Sequence, residues 1–268
     1  MSDGGAGERA LPPGWAWATL GELLVELRNG ISTRPDEESG LRILRISAVR
    51  PRSLDLADVR YLPDDKGSLA NCDLREGDLL FTRYNGNREL VGACAMVRGL
   101  SERTVYPDKL IRARVNRNVV EPAYLELAAN HGRTRAFIES KAKTAAGQVG
   151  ISGSDLRDSP VPLPPVAEQR RIVAKLDDLL ARARRVRDIL DSVGQPSEQM
   201  NALERAILSR AFRGELVPQD PSDEPASVML ERLRAATSPR ASARPLSSDG
   251  EGPSPADSAT MTAATPEP

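Results

Sequence analysis

At 268 residues, with 40% hydrophobic and 28% charged side chains, the chain has apolar material for one ordinary domain with appendages or for two small domains. No apolar run approaches the roughly 20 residues of a membrane helix, and the opening MSDGGAGERALPPGW has neither a basic nor an apolar leader region, so a cytoplasmic protein is expected. A formal net charge of −1 excludes a nonspecific nucleic-acid coat, and any DNA contact must therefore be local.

Residues 11–160 alternate short strand-like runs with turn signals. The runs are 42–47, 78–82, 90–97 and 110–115, and between them lie Pro51, Pro63-Asp64-Asp65, Arg75-Glu76-Gly77-Asp78 and Asn85-Gly86-Asn87. Helices are expected at about 16–28 and 121–142, the second broken in two at His131-Gly132. The fold class is α+β: a mixed domain followed by a long helix of coiled-coil type.

That helix carries the strongest pattern in the chain. It follows the proline cluster Pro160, Pro162, Pro164 and Pro165, which forbids helix upstream, and Glu168 sits where the helix dipole favours an anion. Ile172, Leu176, Leu179, Ala183, Val186, Leu190 and Val193 then recur at alternating steps of 4 and 3, a heptad seam that calls for a helical partner. Residues 167–192 make a rod of roughly 39 Å at 1.5 Å per residue. Gly194-Gln195-Pro196 interrupts it, and a second helix from Ser197 to Gly214 carries Met200, Leu203, Ile207, Ala211 and Phe212. Because the second register does not continue the first seam, a kink or a helical hairpin is expected.

A short amphipathic helix is expected at about 225–236, then a tail of Pro, Ser, Ala, Thr and acid too poor in apolar surface to order itself. Acid collects there: residues 217–268 hold 4 Lys+Arg against 8 Asp+Glu, whereas residues 1–165 hold 23 against 22 and 166–216 hold 10 against 8.

Catalytic signatures are missing. Pro164-Pro165 lies between Leu163 and Val166 rather than in the Asn/Asp-Pro-Pro-aromatic element of an amino methyltransferase, and no GxxxxGK[ST] phosphate loop is present. A histidine-based triad or metal site would rest on His131 alone, which is expected to face solvent or cap a helix. Asp64-Asp65 and Asp177-Asp178 read as solvated surface, and Cys72 and Cys94 as small core residues without metal-ligand spacing.

What remains is a binding protein with two principal candidate loops. Arg83, Tyr84, Asn85, Asn87 and Arg88 combine residue types that pair with base edges and phosphates, though the same stretch also suits a plain Asn-Gly hairpin turn. Lys141, Lys143, Thr144, Gln148 and Ser152 surround small residues that let backbone amides approach a phosphate, though a flexible linker would read the same way. Arg28 and Arg34 form a third, weaker candidate.

The stretch Ser159 to Val173, containing Pro164-Pro165-Val166-Ala167-Glu168-Gln169-Arg170-Arg171-Ile172, resembles the junction of recognition domain and spacer helix in type I restriction–modification specificity subunits. Ala206 to Leu216 resembles the end of the distal spacer, and Gly14-Trp15, Leu20-Gly21-Glu22-Leu23, Leu41 to Val49, Gly77 to Leu80 and Val91-Gly92 resemble earlier elements of that family, in order. Family members usually hold two recognition domains and two spacers, whereas this chain holds one of each.

The resemblance, over about residues 11–236, implies a target-recognition domain at 11–160 and a spacer and dimerisation region at 161–216; pattern and composition add a short helix within 217–238 and a disordered tail at 239–268. It further implies a non-catalytic chain that directs methylation and restriction subunits to DNA, with Ile172, Leu176, Leu179, Ala183, Val186 and Leu190 as its subunit interface. No cofactor is expected on this chain; S-adenosylmethionine, ATP and Mg²⁺ would belong to partner subunits. The implied partners are double-stranded DNA, methylation and restriction subunits, and a second copy or another half-subunit. The alternatives are a coiled-coil scaffold or fragment that reads no DNA, and a solitary methyltransferase or nuclease.

Overall fold

The computed structural model describes residues 11–63, 67–145, 148–192 and 198–237; the carboxylates Asp64-Asp65, the seam residue Val193 and the expected tail at 239–268 lie outside them. In chain order the strands are β1 Ala16–Thr19, β2 Leu24–Asn29, β3 Leu41–Leu44, β4 Val49–Arg50, β5 Ser53–Leu54, β6 Val59–Leu62, β7 Leu79–Thr82, β8 Tyr84–Asn85, β9 Cys94–Met96, β10 Thr104–Val105 and β11 Leu110–Val115. Helices α1 Pro122–Asn130 and α2 Gly132–Lys141 follow, then β12 Lys143–Ala145, β13 Gln148–Gly150, the short α3 Gly153–Arg157 and β14 Pro160–Leu163. Three helices complete the chain: α4 Val166–Ser192, α5 Glu198–Ala211 and α6 Ala226–Thr237.

A four-stranded sheet in the order β2-β11-β7-β9 divides the interior. Strand side chains point alternately to opposite faces. Leu79, Phe81, Ile111 and Ala113 therefore enter a core shared with the helices, while Leu80 and Leu110 enter a second core under the β10-β3-β6 sheet. The helix-side core reaches well beyond residue 160: Leu163, Ile172, Leu176, Leu208, Ala211, Ala226 and Leu230 belong to it together with Trp15 and Tyr124. Both cysteines are buried and free.

The helix expected at 16–28 is not there. Residues 16–19 form β1, paired antiparallel with β14, and 24–29 form β2, paired with β11; only a 3-10 turn at Leu20–Leu23 separates them. Local apolar spacing cannot register partners so distant in sequence, and tertiary pairing overrides helix propensity here. The break at His131 is real, but its side chain caps neither helix: the backbone N–H bonds Ala128 O, and the imidazole is largely buried with Nε2 unpartnered. Burial, followed by the Arg52 and Arg135 charges, lowers its pKa to about 4.

The junction of domain and long helix is sealed by buried polar contacts. Gln169 is fully buried; its Nε2 donates to Val119 O (3.2 Å) and Pro164 O (2.9 Å), and its Oε1 accepts from Glu121 N (2.8 Å). Beside it Glu168, also buried, accepts from Trp15 Nε1 (3.1 Å), and burial raises its pKa. Tyr124 Oη donates to Pro162 O (2.6 Å), and Arg171 pairs with Asp223 at 2.6 Å ahead of α6.

Helix α5 runs back along α4, with Arg187 bonding Asn201 and Glu204 at one end and the Phe212 ring against Tyr124 (5.9 Å) at the other. This hairpin changes the reading of the heptad seam. Ile172, Leu176 and Ala183 are buried within the chain itself, Leu180 is buried in preference to Leu179, and Val186 is 47% exposed. The side chain of Leu190 lies outside the described ones.

Candidate nucleic-acid interface

The two candidate loops meet. β7 hands the chain to β8, α2 hands it to β12 and β13, and β13 pairs antiparallel with both β8 and β12. Gly150 stands opposite Tyr84 and Val149 opposite Asn85; Ile151 N donates to Arg83 O (3.0 Å) and Arg83 N to Lys109 O (2.8 Å). Residues of both loops thus enter one small three-stranded sheet, β12-β13-β8; the Asn-Gly turn is present beside it, with Asn85 Oδ1 accepting from Asn87 N (2.9 Å), and residues 146–147 of the second loop lie outside the described ones.

Tyr84 is its centre. The Arg83 guanidinium lies 4.7 Å and Lys109 Nζ 5.6 Å from the ring centroid, within cation–π range. The ring packs directly on the backbone of Gly150, where an added Cβ would fall 2.3 Å from Tyr84 Cδ1. Only glycine leaves room for that ring.

Concavities flank this sheet. One of about 350 Å³ is lined by Arg83, Tyr84, Lys141, Lys143, Ser152 and Asp155, so both loops contribute. The other, about 540 Å³, is lined by Tyr84, Asn85 and Gln148 from the small sheet, by Lys109 just before β11, and by Arg45, Arg50 and Arg60 from the β3–β6 region. The sequence reading missed Arg45, Arg50, Arg60 and Lys109. The only signal was the density of arginine from Arg42 to Arg60, which mixes groove residues with Arg42 and Arg52, whose side chains are partly buried.

Several candidates hold structural posts. Asn87 accepts from Glu89 N (3.0 Å), Arg88 donates to the Glu139 and Ala142 carbonyls at the end of α2, and Lys141 Nζ lies 5.1 Å from the Phe137 ring. Ser152 caps α3 by accepting from Asp155 N (3.0 Å). Lys143, Thr144 and Gln148 are exposed. Arg28 stands apart on β2, 3.4 Å from Glu26, and Arg34 is exposed next to Pro35, a groove residue. Among the described residues no cluster of His, Cys, Asp or Glu could hold a metal ion, no helix is long and apolar enough to cross a membrane, and Asp178 is engaged with Arg182 at 2.9 Å.

No protein-family model matches the chain. It is 40% identical over 224 residues to the type I restriction enzyme EcoKI specificity subunit of Escherichia coli K12, a match covering 80% of this chain and 47% of that protein. It is 28% identical over 232 residues to the StySPI specificity subunit of Salmonella potsdam, covering 83% and 49%. In fold it resembles the crystal structure of the HsdS subunit from Thermoanaerobacter tengcongensis, with a TM-score of 0.51 at 24% identity over 70% of this chain and 47% of that one. The chain spans about half the length of the curated relatives it matches.

Proposed function

The sequence belongs with the type I restriction enzyme specificity subunits, of which it spans about half, and from that premise we propose that it reads DNA for a type I restriction–modification complex. The observation that carries this reading is the convergence of two loops, distant in sequence, on one sheet centred on Tyr84 beside a cation-lined groove. In this reading the chain performs no chemistry. Methylation subunits bring S-adenosylmethionine, restriction subunits bring ATP and Mg²⁺, and the helical hairpin docks them.

α4 is about 40 Å long at 1.5 Å per residue, comparable with one DNA turn of roughly 34–36 Å. Two such arms packed antiparallel would set two recognition domains on one face of a duplex and give a bipartite target with a fixed gap. The exposed Val186 and Leu203 on the hairpin are assigned to the second copy or other half-subunit. A homodimer must read inverted half-sites, because a two-fold protein reads a two-fold site.

The test is to co-express the chain with a cognate methylation subunit and map modified adenines genome-wide. A split motif is expected; a palindromic one indicates the homodimer and an asymmetric one another recognition chain. Failure to direct methylation to any motif overturns the reading, and an unchanged motif after exchange of residues 11–160 would make the chain a scaffold. Leu179→Asp, on the seam but outside the buried row, is expected to abolish assembly in sizing experiments.

A further inference from the structure

We propose that the two walls of the 540 Å³ groove divide the work: Arg45, Arg50 and Arg60 hold the phosphate backbone of one DNA strand, while Asn85 and Gln148 across from them face base edges. This rests on the DNA reading above and assigns its parts.

The arginine wall is built on paired backbone. Ile43 is registered with Arg60 between β3 and β6, Arg45 N donates to Asp58 O (2.9 Å), and Val49 is registered with Leu54 in the hairpin that carries Arg50. Its charge is mostly unspent. Arg50 Nη1 donates to its neighbour's carbonyl, Val49 O (3.0 Å), and neither Arg50 nor Arg60 has a carboxylate partner among the described residues; Arg45, half exposed, has a 3.6 Å contact with Asp58. Three guanidiniums against one carboxylate make a locally cationic wall on a chain of net charge −1.

The small-sheet side differs in kind. Its cation Lys109 is paired with Asp108 (3.2 Å), and Tyr84 packs between Lys109 and Arg83. Asn85 and Gln148 are neutral amides: Gln148 is exposed, and Asn85, whose Oδ1 accepts from Asn87 N (2.9 Å), keeps its Nδ2 donors and a second lone pair for the N6/N7 edge of adenine. Guanidiniums pair with phosphates regardless of sequence, whereas amides discriminate between bases. A duplex laid across the groove therefore meets one set of residues that sets affinity and another that sets the sequence read.

The experiment measures binding of the full chain to duplexes selected from a random library, between 50 and 200 mM salt. For Arg50→Ala and Arg60→Ala, the expected result is a slope of log K against log salt shallower by about one unit each, weaker binding to every duplex alike, and the same selected sequence. Arg60→Lys should keep the wild-type slope. Asn85→Ala and Gln148→Ala should leave the slope unchanged and relax the selected sequence at one position. Unchanged slopes in the arginine variants, or a changed selected sequence, overturn the division of the walls while wild-type binding still stands. A wild-type chain that selects no sequence and shows no salt-dependent binding overturns the DNA reading itself.

Discussion

At the root of α4, Gln169 is completely buried and all of its hydrogen-bonding atoms are used within the chain; in the groove, Arg50 and Arg60 are exposed with no carboxylate partner among the described residues. The two regions follow the same rule under different dielectrics. A polar group withdrawn from water costs a few kcal/mol unless it is answered, and at the root the fold supplies partners for Gln169, Glu168 and the Tyr124 hydroxyl. An exposed cation carries no such penalty and stays available to a ligand. The root of α4 thus has the polar chemistry of Gln169 consumed within the chain, whereas the groove proposed to bind DNA keeps guanidiniums open to a ligand.

The strongest way to break this contrast is in the interior. Arg112, 1% exposed in the central sheet, donates to Glu26 (2.6 Å), Asn71 O and Asp73 O, beside the buried Asp78 that pairs with Arg114. Arg112→Ala is expected to lower stability by about 3–5 kcal/mol in urea titrations, since removing one partner of a buried ionic network strands the other. A loss below about 1 kcal/mol would mean the interior is not sealed as described.

Acid should act next most strongly. The folded chain holds His131 at a pKa of about 4, whereas the unfolded chain takes up the proton near 6.5. Because the folded value is depressed, stability is intact above about pH 6.5 and falls as the pH drops toward 4, by roughly 3 kcal/mol at most. His131→Gln should flatten that part of the pH profile, which a comparison of melting at pH 7 and pH 4.5 measures; an unchanged profile would refute the assignment to His131.

The smallest effect on stability belongs to the binding end. Lys143 is exposed on β12, and Lys143→Ala is expected to shift stability by less than about 0.5 kcal/mol while weakening DNA binding in a titration with duplex. A variant that melted early, or bound as well as wild type, would remove Lys143 from the interface.

Parts of this arrangement were legible in the sequence for identifiable reasons. The strand runs at 78–82 and 110–115 stand out between strong turns, and both became members of the central sheet. The run at 90–97 was readable in part: a 3-10 turn at Arg88–Leu90 precedes a strand confined to Cys94–Met96. The loops around Tyr84 and Lys143 were chosen by composition, yet nothing local says that Gly150 lies under Tyr84 or that Lys109 comes beside the ring. Arg45, Arg50 and Arg60 escaped because each stands alone on its own segment, and the packing of β3, β4 and β6 brings them onto one wall.

By itself the sequence determined the long helix: its proline-marked start, its length and the apolar stripe along it, because helix periodicity joins residues only three and four positions apart. Tertiary structure alone decided how that stripe is used. Folding α5 back over α4 and rooting α4 on Trp15 and Tyr124 buried Ile172, Leu176 and Ala183 inside the chain and left Val186 toward solvent. The proposed recognition surface was decided the same way, since strand pairing draws its partners from anywhere along the chain and a single stretch carries no record of which partner it meets.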